Sequence, residues 1–264
     1  MRFLICLLMG CLVGSTGVTA TTYSVTSSNW AGYAVARAGV TGAAGTWTVP
    51  AVSGYGYSSV WVGVGGLHDG GLVQAGTEQN LTPDGLAYFA WWEALPGSQR
   101  VVLPVEPGDT VHASVREVAA NLWRLRVLDE TSGQGFTHLV RYRSSGASAE
   151  WVVEDPSQWG GGPLPLADFG AATFRSAGLT LGGSRYSPAR LDNLALSIGS
   201  PYGPVLAAPG PLTRRGGFTV SYAPAAAPAE YVPPAPILYP APAPTPDPWV
   251  RRWYRLGFGY GYCY

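Results

Sequence analysis

Between residues 28 and about 222 the apolar positions recur with period two, in short runs broken by Gly, Pro, Asn and Asp. Two stretches carry the pattern cleanly. Val111, Ala113 and Val115 oppose His112, Ser114 and Arg116, and Trp123, Leu125 and Val127 oppose Arg124 and Arg126. Successive side chains of a strand point to opposite faces, so this pattern marks half-buried strands, and no stretch of the region holds a helical period for long. Strands are predicted over residues 30–37, 45–49, 59–64, 72–75, 86–94, 110–118, 122–128, 136–143, 148–154, 172–176, 193–198 and 218–222. About a dozen strands joined by short turns predict an all-β domain, a two-sheet antiparallel β-sandwich of jelly-roll or concanavalin-like type.

The two ends depart from this pattern. Residues 1–20 read as a secretory signal peptide: Arg2 gives the positive start, 3–13 a short apolar run, and Val18-Thr19-Ala20 a small-residue cleavage site. The alternative is lipoprotein processing at Leu8-Met9-Gly10-Cys11, with Cys11 acylated. Residues 21–27 form a short polar lead-in to the sandwich at 28–222. Residues 223–248 are a Pro/Ala-rich linker with ten prolines, expected to be extended polyproline II, and 249–264 are a tail rich in Arg and aromatic residues. That tail is read either as a cell-surface anchor or as an unanchored extension. With the signal removed only Cys263 remains, so the mature domain is expected to be secreted, extracellular or periplasmic, without an internal disulfide.

Charged residues are 12% of the chain and the formal net charge is zero, which argues against nucleic acid as a partner. Every basic side chain is Arg, and the absence of Lys excludes a Schiff base or a P-loop lysine. The chain has no His-Glu-x-x-His and no Gly-x-Ser-x-Gly. His68, His112 and His138 lack metal-ligand spacing, so neither a metal nor a cofactor is expected. His112 and His138 fall at alternating strand positions and read as structural. His68 sits in a Gly-rich loop, where contact with a ligand is the functional reading.

Carboxylates, one glutamine and tryptophans are the remaining candidates for chemistry. Gln74 stands among small and apolar residues in Leu72-Val73-Gln74-Ala75-Gly76, where a buried amide must be hydrogen-bonded within the fold or aimed at a ligand. Alternation places Phe89, Trp91, Glu93 and Leu95 on one face, an aromatic wall with one carboxylate; core packing is the plain alternative for each Trp. Glu150, Val152 and Glu154 share a face of the strand over 148–154, opposite Trp151 and Val153, with a solvated strand face as their plain alternative.

Taken in order, several blocks resemble the glutamic peptidases, or eqolisins: Ser28-Asn29-Trp30-Ala31-Gly32-Tyr33, Val60-Trp61-Val62-Gly63, Leu72-Val73-Gln74-Ala75-Gly76, Ala90-Trp91-Trp92-Glu93, Ala149-Glu150-Trp151-Val152-Val153-Glu154-Asp155 and Ala167-Asp168-Phe169-Gly170. The resemblance implies a secreted β-sandwich endopeptidase, expected to be monomeric and to act on protein or peptide substrates. It places a catalytic Gln–Glu dyad on Gln74 and Glu150. It also implies that Trp61, Trp91 and Glu93 line the substrate cleft, with Glu154 an acidic neighbour of Glu150. The chain departs from the family's fungal members at Gly65, Phe89 and Leu95, where they carry Asp, Asp and Tyr, and at Glu78, which replaces an Asp. A less acidic, more apolar cleft is therefore expected. Two other readings compete: a carbohydrate-binding or glycoside-cleaving sandwich using Glu93 and Glu150 as its carboxylate pair, and a non-catalytic surface module.

Overall fold

The computed structural model describes residues 20–67, 70–156, 164–200 and 203–222. The signal peptide, His68, the Pro/Ala-rich linker, the aromatic tail and Cys263 lie outside them. Among the described residues the chain forms the strands β1 (Thr22–Ser27), β2 (Trp30–Ala36), β3 (Val40–Thr48), β4 (Gly56–Gly65), β5 (Leu72–Thr82), β6 (Gly85–Ala94), β7 (Arg100–Pro104) and β8 (Thr110–Ala119). These are followed by β9 (Leu122–Asp129), β10 (Gly135–Arg141), β11 (Ser148–Glu154), β12 (Ala171–Leu181), β13 (Ser184–Tyr186), β14 (Asn193–Gly199), β15 (Val205–Pro209) and β16 (Phe218–Tyr222).

The expected all-β antiparallel sandwich is the fold. One layer has the order β10-β9-β8-β3-β12 and the other β14-β2-β11-β4-β5-β6-β7; β16 and β15 carry the hydrogen-bonded ladder from the first to the second. The ladder doubles back on itself, so that β3 and β8 lie over β4 and β5. Period-two alternation drives this packing. Val111, Ala113, Val115, Leu125, Val127, Trp47 and Phe174 of one layer meet Val60, Val62, Val73, Ala75, Trp151 and Val153 of the other, all buried. Each fully buried Val or Leu contributes about 1.5–3 kcal/mol relative to exposure. Two indole N–H groups of the inter-layer core are satisfied: Trp47 Nε1 donates to Thr77 Oγ1 at 3.0 Å and Trp151 Nε1 to the Ala44 carbonyl at 2.8 Å.

The strands β4, β5 and β11 are buried on both faces along most of their length. Beyond the inter-layer core, their second face carries a separate apolar cluster: Trp30, Trp61, Leu72, Trp91, Val152, Leu194 and Leu196, with Phe89 and Leu95 packed against it. The candidate site lies on that face.

Each of the twelve predicted strands is present, with its ends moved: β3 starts at Val40, β5 runs on to Thr82 and β12 to Leu181. Sequence reading missed β1, β7, β13 and β15. The polar lead-in is in fact the strand β1, laid parallel on β14 with alternate residues exposed, so it lacks an apolar stripe to give it away. The others are short edge or hairpin strands, and Pro104 and Pro209 end two of them.

His112 Nδ1 lies 2.9 Å from Thr46 Oγ1, and burial holds its pKa down; the His138 ring stacks on Trp92 at 4.6 Å. Both histidines are thus held by strand neighbours.

Candidate active site

Register defines the site. Glu93 pairs with Gln74, Gln74 with Gly63, Gly63 with Glu150 and Glu150 with Ala34, so one row crosses β6, β5, β4, β11 and β2. Residues paired across adjacent strands project to the same side of a sheet, so Glu93, Gln74 and Glu150 share the face that bears the second apolar cluster. Gln74 and Glu150 stand two strand spacings apart, roughly 10 Å between backbones. The residue between them is Gly63, which has no side chain to fill the interval. The next row runs Trp91, Gly76, Trp61, Val152 and Gly32, and the one after it Phe89, Glu78, Ser59, Glu154 and Trp30. All six residues singled out as catalytic or cleft-lining, namely Gln74, Glu150, Trp61, Trp91, Glu93 and Glu154, therefore stand on one face within three consecutive rows.

Glu150 is fully buried and Gln74 is 4% exposed. Gln74 Nε2 donates to Glu93 Oε2 at 2.8 Å, while Gln74 Oε1 is buried without a hydrogen-bond partner among the described residues. Burial pushes the Glu93 carboxyl above its ordinary range, against the lowering effect of hydrogen bonds from Gln74 and the Gln99 backbone N–H; the Glu78 charge pushes it further up. Trp91 is buried, and its indole N–H also lacks a partner among the described residues. A buried acceptor and a buried donor left open on one face are what a bound polar chain would satisfy.

Trp61 is turned by its own hydrogen bond. Its Nε1 donates to Glu154 Oε2 at 2.6 Å, Asn29 Nδ2 donates to Glu154 Oε1 at 3.1 Å, and Trp30 meets Trp61 edge to face at 5.0 Å. A Cβ added to Gly63 would stand 2.8 Å from Trp61 Cζ3 and 2.8 Å from Leu72 Cδ1, so these two apolar side chains roof the interval between Gln74 and Glu150. Sequence reading gave Asn29 and Gly63 no role. Asn29 fixes the acid that orients Trp61, and Gly63 leaves room for Trp61 and Leu72, whose side chains lie over it.

The departures from the fungal pattern have local reasons. Gly65 has φ +96°, and a Cβ there would meet the Gly71 carbonyl oxygen at 2.0 Å, so this backbone excludes an Asp. Phe89 and Leu95 join the apolar cluster, as expected for a less polar cleft.

Two further carboxyls beside the site are held neutral by burial. Glu154 is raised to about 7, chiefly by desolvation and secondarily by the Glu93 and Glu78 charges, against the hydrogen bond from Trp61; Asp155 is raised to about 7 by desolvation. A raised folded pKa means that the native state binds more protons than the unfolded chain between roughly pH 4 and 7, so stability falls as pH rises through that window. Full linkage of the two groups would amount to about 8 kcal/mol, which relaxation and water penetration around buried charges reduce to an expected value of about 2–4 kcal/mol. The melting temperature at pH 5 should then exceed that at pH 8 by about 5–10 °C. Equal melting temperatures in calorimetry at the two pH values would show that neither carboxyl is held neutral.

Comparison with known proteins gives this arrangement a class: the chain is a hydrolase, an endopeptidase of the glutamic type. It belongs to the Peptidase A4 family, which matches residues 28–199. It is 31% identical over 197 residues to Aspergillopepsin-2 of Aspergillus niger, a match spanning 64% of this chain and 70% of that protein. The fold is that of scytalido-glutamic peptidase, solved with a transition state analog inhibitor, at TM-score 0.65 and 21% identity over 74% of this chain and 98% of the other. Aspergilloglutamic peptidase from Aspergillus niger superposes at TM-score 0.57 with 27% identity, covering 63% and 99%.

Proposed function

We propose that this chain is a secreted endopeptidase that hydrolyses peptide bonds with a dyad formed by Glu150 and Gln74. As a carboxylate, Glu150 takes a proton from water, and the resulting hydroxide attacks the scissile carbonyl carbon. Negative charge moves to the carbonyl oxygen, where a Gln74 amide N–H donates to it. The protonated Glu150 then gives its proton to the leaving nitrogen as the C–N bond breaks. These steps use one water and end with a free carboxyl and a free amine.

The observation that carries this reading is the row itself: an amide and a carboxyl on one face, in register, with a glycine between them. Trp61 and Trp91 form apolar walls for the substrate's side chains, and Glu154 acts through Trp61, fixing its ring. Scytalido-glutamic peptidase solved with a peptide based transition state analog, and a further eqolisin solved with a tripeptide, support a protein or peptide as the ligand. Export rests on the signal-like residues 1–20, and the Arg- and aromatic-rich tail is the candidate for surface association.

The test is digestion of a denatured protein across pH by the wild type, Gln74→Ala and Glu150→Gln, with a pepstatin control. Cleavage insensitive to pepstatin and lost in both variants is expected, with Gln74→Ala lower by about 10²–10³ in kcat. Proteolysis that survives Glu150→Gln would remove the dyad, and hydrolysis of a β-glucan would move the carboxylates to glycoside chemistry.

A further inference from the structure

Gln74 is an amide, and its two ends do opposite things. Glu93 and Glu150 flank it from opposite sides of the row, so the end that bonds Glu93 is turned away from the Gly63 interval and the other end faces it. In the structure the Nε2 end bonds Glu93, and Oε1, the acceptor at the other end of the amide, is buried without a hydrogen-bond partner among the described residues. An oxyanion there needs a donor and is repelled by a carbonyl oxygen. An ionised carboxylate only accepts hydrogen bonds, so it holds Nε2 to itself. A protonated carboxyl carries an O–H that can donate to Oε1, and then the amide is satisfied when turned over.

We propose that Glu93 is a positioning residue that switches Gln74: protonation of Glu93 turns the amide over, so that Nε2 with both its hydrogens faces Glu150 and the substrate carbonyl. This rests on the dyad reading above. The charged groups near Glu93 are acidic and favour its neutral form, against the hydrogen bonds that Gln74 and the Gln99 backbone N–H give to the carboxylate. Glu78 lies on β5 and Glu154 on β11, while Glu150, also on β11, stands three strands away along the row. Burial raises the Glu93 carboxyl in the same direction. The donor end is thus presented as pH falls through the Glu93 ionisation and withdrawn as pH rises.

The test is kcat and KM from pH 3 to 8 for the wild type and Glu93→Gln, with Glu150→Gln in parallel and thermal melts on each. Glutamine at 93 can donate to Gln74 Oε1 at every pH. The wild type should therefore lose kcat as pH rises toward neutrality, and Glu93→Gln should keep it. The variant is expected to be about tenfold faster than the wild type at pH 7 and within about threefold at pH 4, with KM little changed. The side-chain 15N–H resonances of Gln74 should move through the same pH range in the wild type and stay fixed in Glu93→Gln.

An unchanged neutral limb in the variant, or an effect confined to KM, would make Glu93 a substrate contact and overturn the switch. Pure loss of kcat at all pH values would make it structural and overturn the switch equally. Activity retained in Glu150→Gln removes the dyad itself; a dead Glu150→Gln beside a Glu93→Gln that titrates like the wild type overturns the switch alone.

Discussion

Glu150→Gln is expected to lower kcat by about three orders of magnitude, the scale of removing a general base that also serves as the acid. The substitution keeps the size and shape of the side chain. Glu150 is fully buried between Gly63 and Ala34, so a change of volume would be felt there and a change of charge alone is the cleaner probe. The group is used in the transition state rather than to hold substrate. KM should therefore stay within a few-fold while kcat and kcat/KM fall together. Circular dichroism and a melting curve like the wild type's would establish that the loss is chemical. A variant retaining more than about a tenth of kcat would take Glu150 out of the reaction altogether.

Gly76→Ala should be among the most damaging single methyl groups in the sheet. A Cβ at Gly76 would meet the Val60 carbonyl oxygen at 2.3 Å, Trp61 Cβ at 2.5 Å and Trp61 Cα at 2.8 Å. These are atoms of a central strand, with no rotamer by which to retreat, so β4 and β5 would have to separate. A cost of about 3 kcal/mol or more is expected from overpacking at a site this rigid. Denaturant melts should show it, and a loss below about 1 kcal/mol would mean that the two strands can part more easily than their packing implies.

Gly63→Ala is the informative contrast. Its added Cβ meets side-chain atoms rather than backbone, the end of Leu72, which can shift, and the ring of Trp61, which Glu154 holds. Its main effect should fall on kcat, through the interval between Gln74 and Glu150, rather than on stability.

Much of this was legible in the chain. The period of two in β8 and β9 gave their inward residues, and β11 was bounded correctly by its flanking turn residues. Alternation alone put Phe89, Trp91 and Glu93 together, and Glu150 with Glu154. What alternation could not supply was the partner of each strand. Nothing local in Ser148–Glu154 says that it inserts between β2 and β4, yet that insertion brings Glu150 into the row of Gln74. The strands β4, β5 and β11 also bury large apolar residues on both faces, Trp61 and Val152 on one and Val60, Val62, Trp151 and Val153 on the other, so apolar character does not tell the core side from the site side. The hydrogen bond between Gln74 and Glu93 depends on a hairpin register, which the sequence reading assigned only as far as strand identity. Residues 22–27 failed as a strand prediction because Thr and Ser dominate an edge that buries little.

The row of β6, β5, β4 and β11 is also a ruler. The spacing of Gln74 and Glu150 is set by counting hydrogen-bonded strands, so it is indifferent to the length of every turn that joins them. Insertions in those turns can accumulate without disturbing the chemistry. A single residue gained or lost inside β5 before Gln74 would instead rotate that strand by one place and send the amide into the sandwich interior. Descendants of this sequence are therefore free to vary at the tips and held to the letter along the rungs.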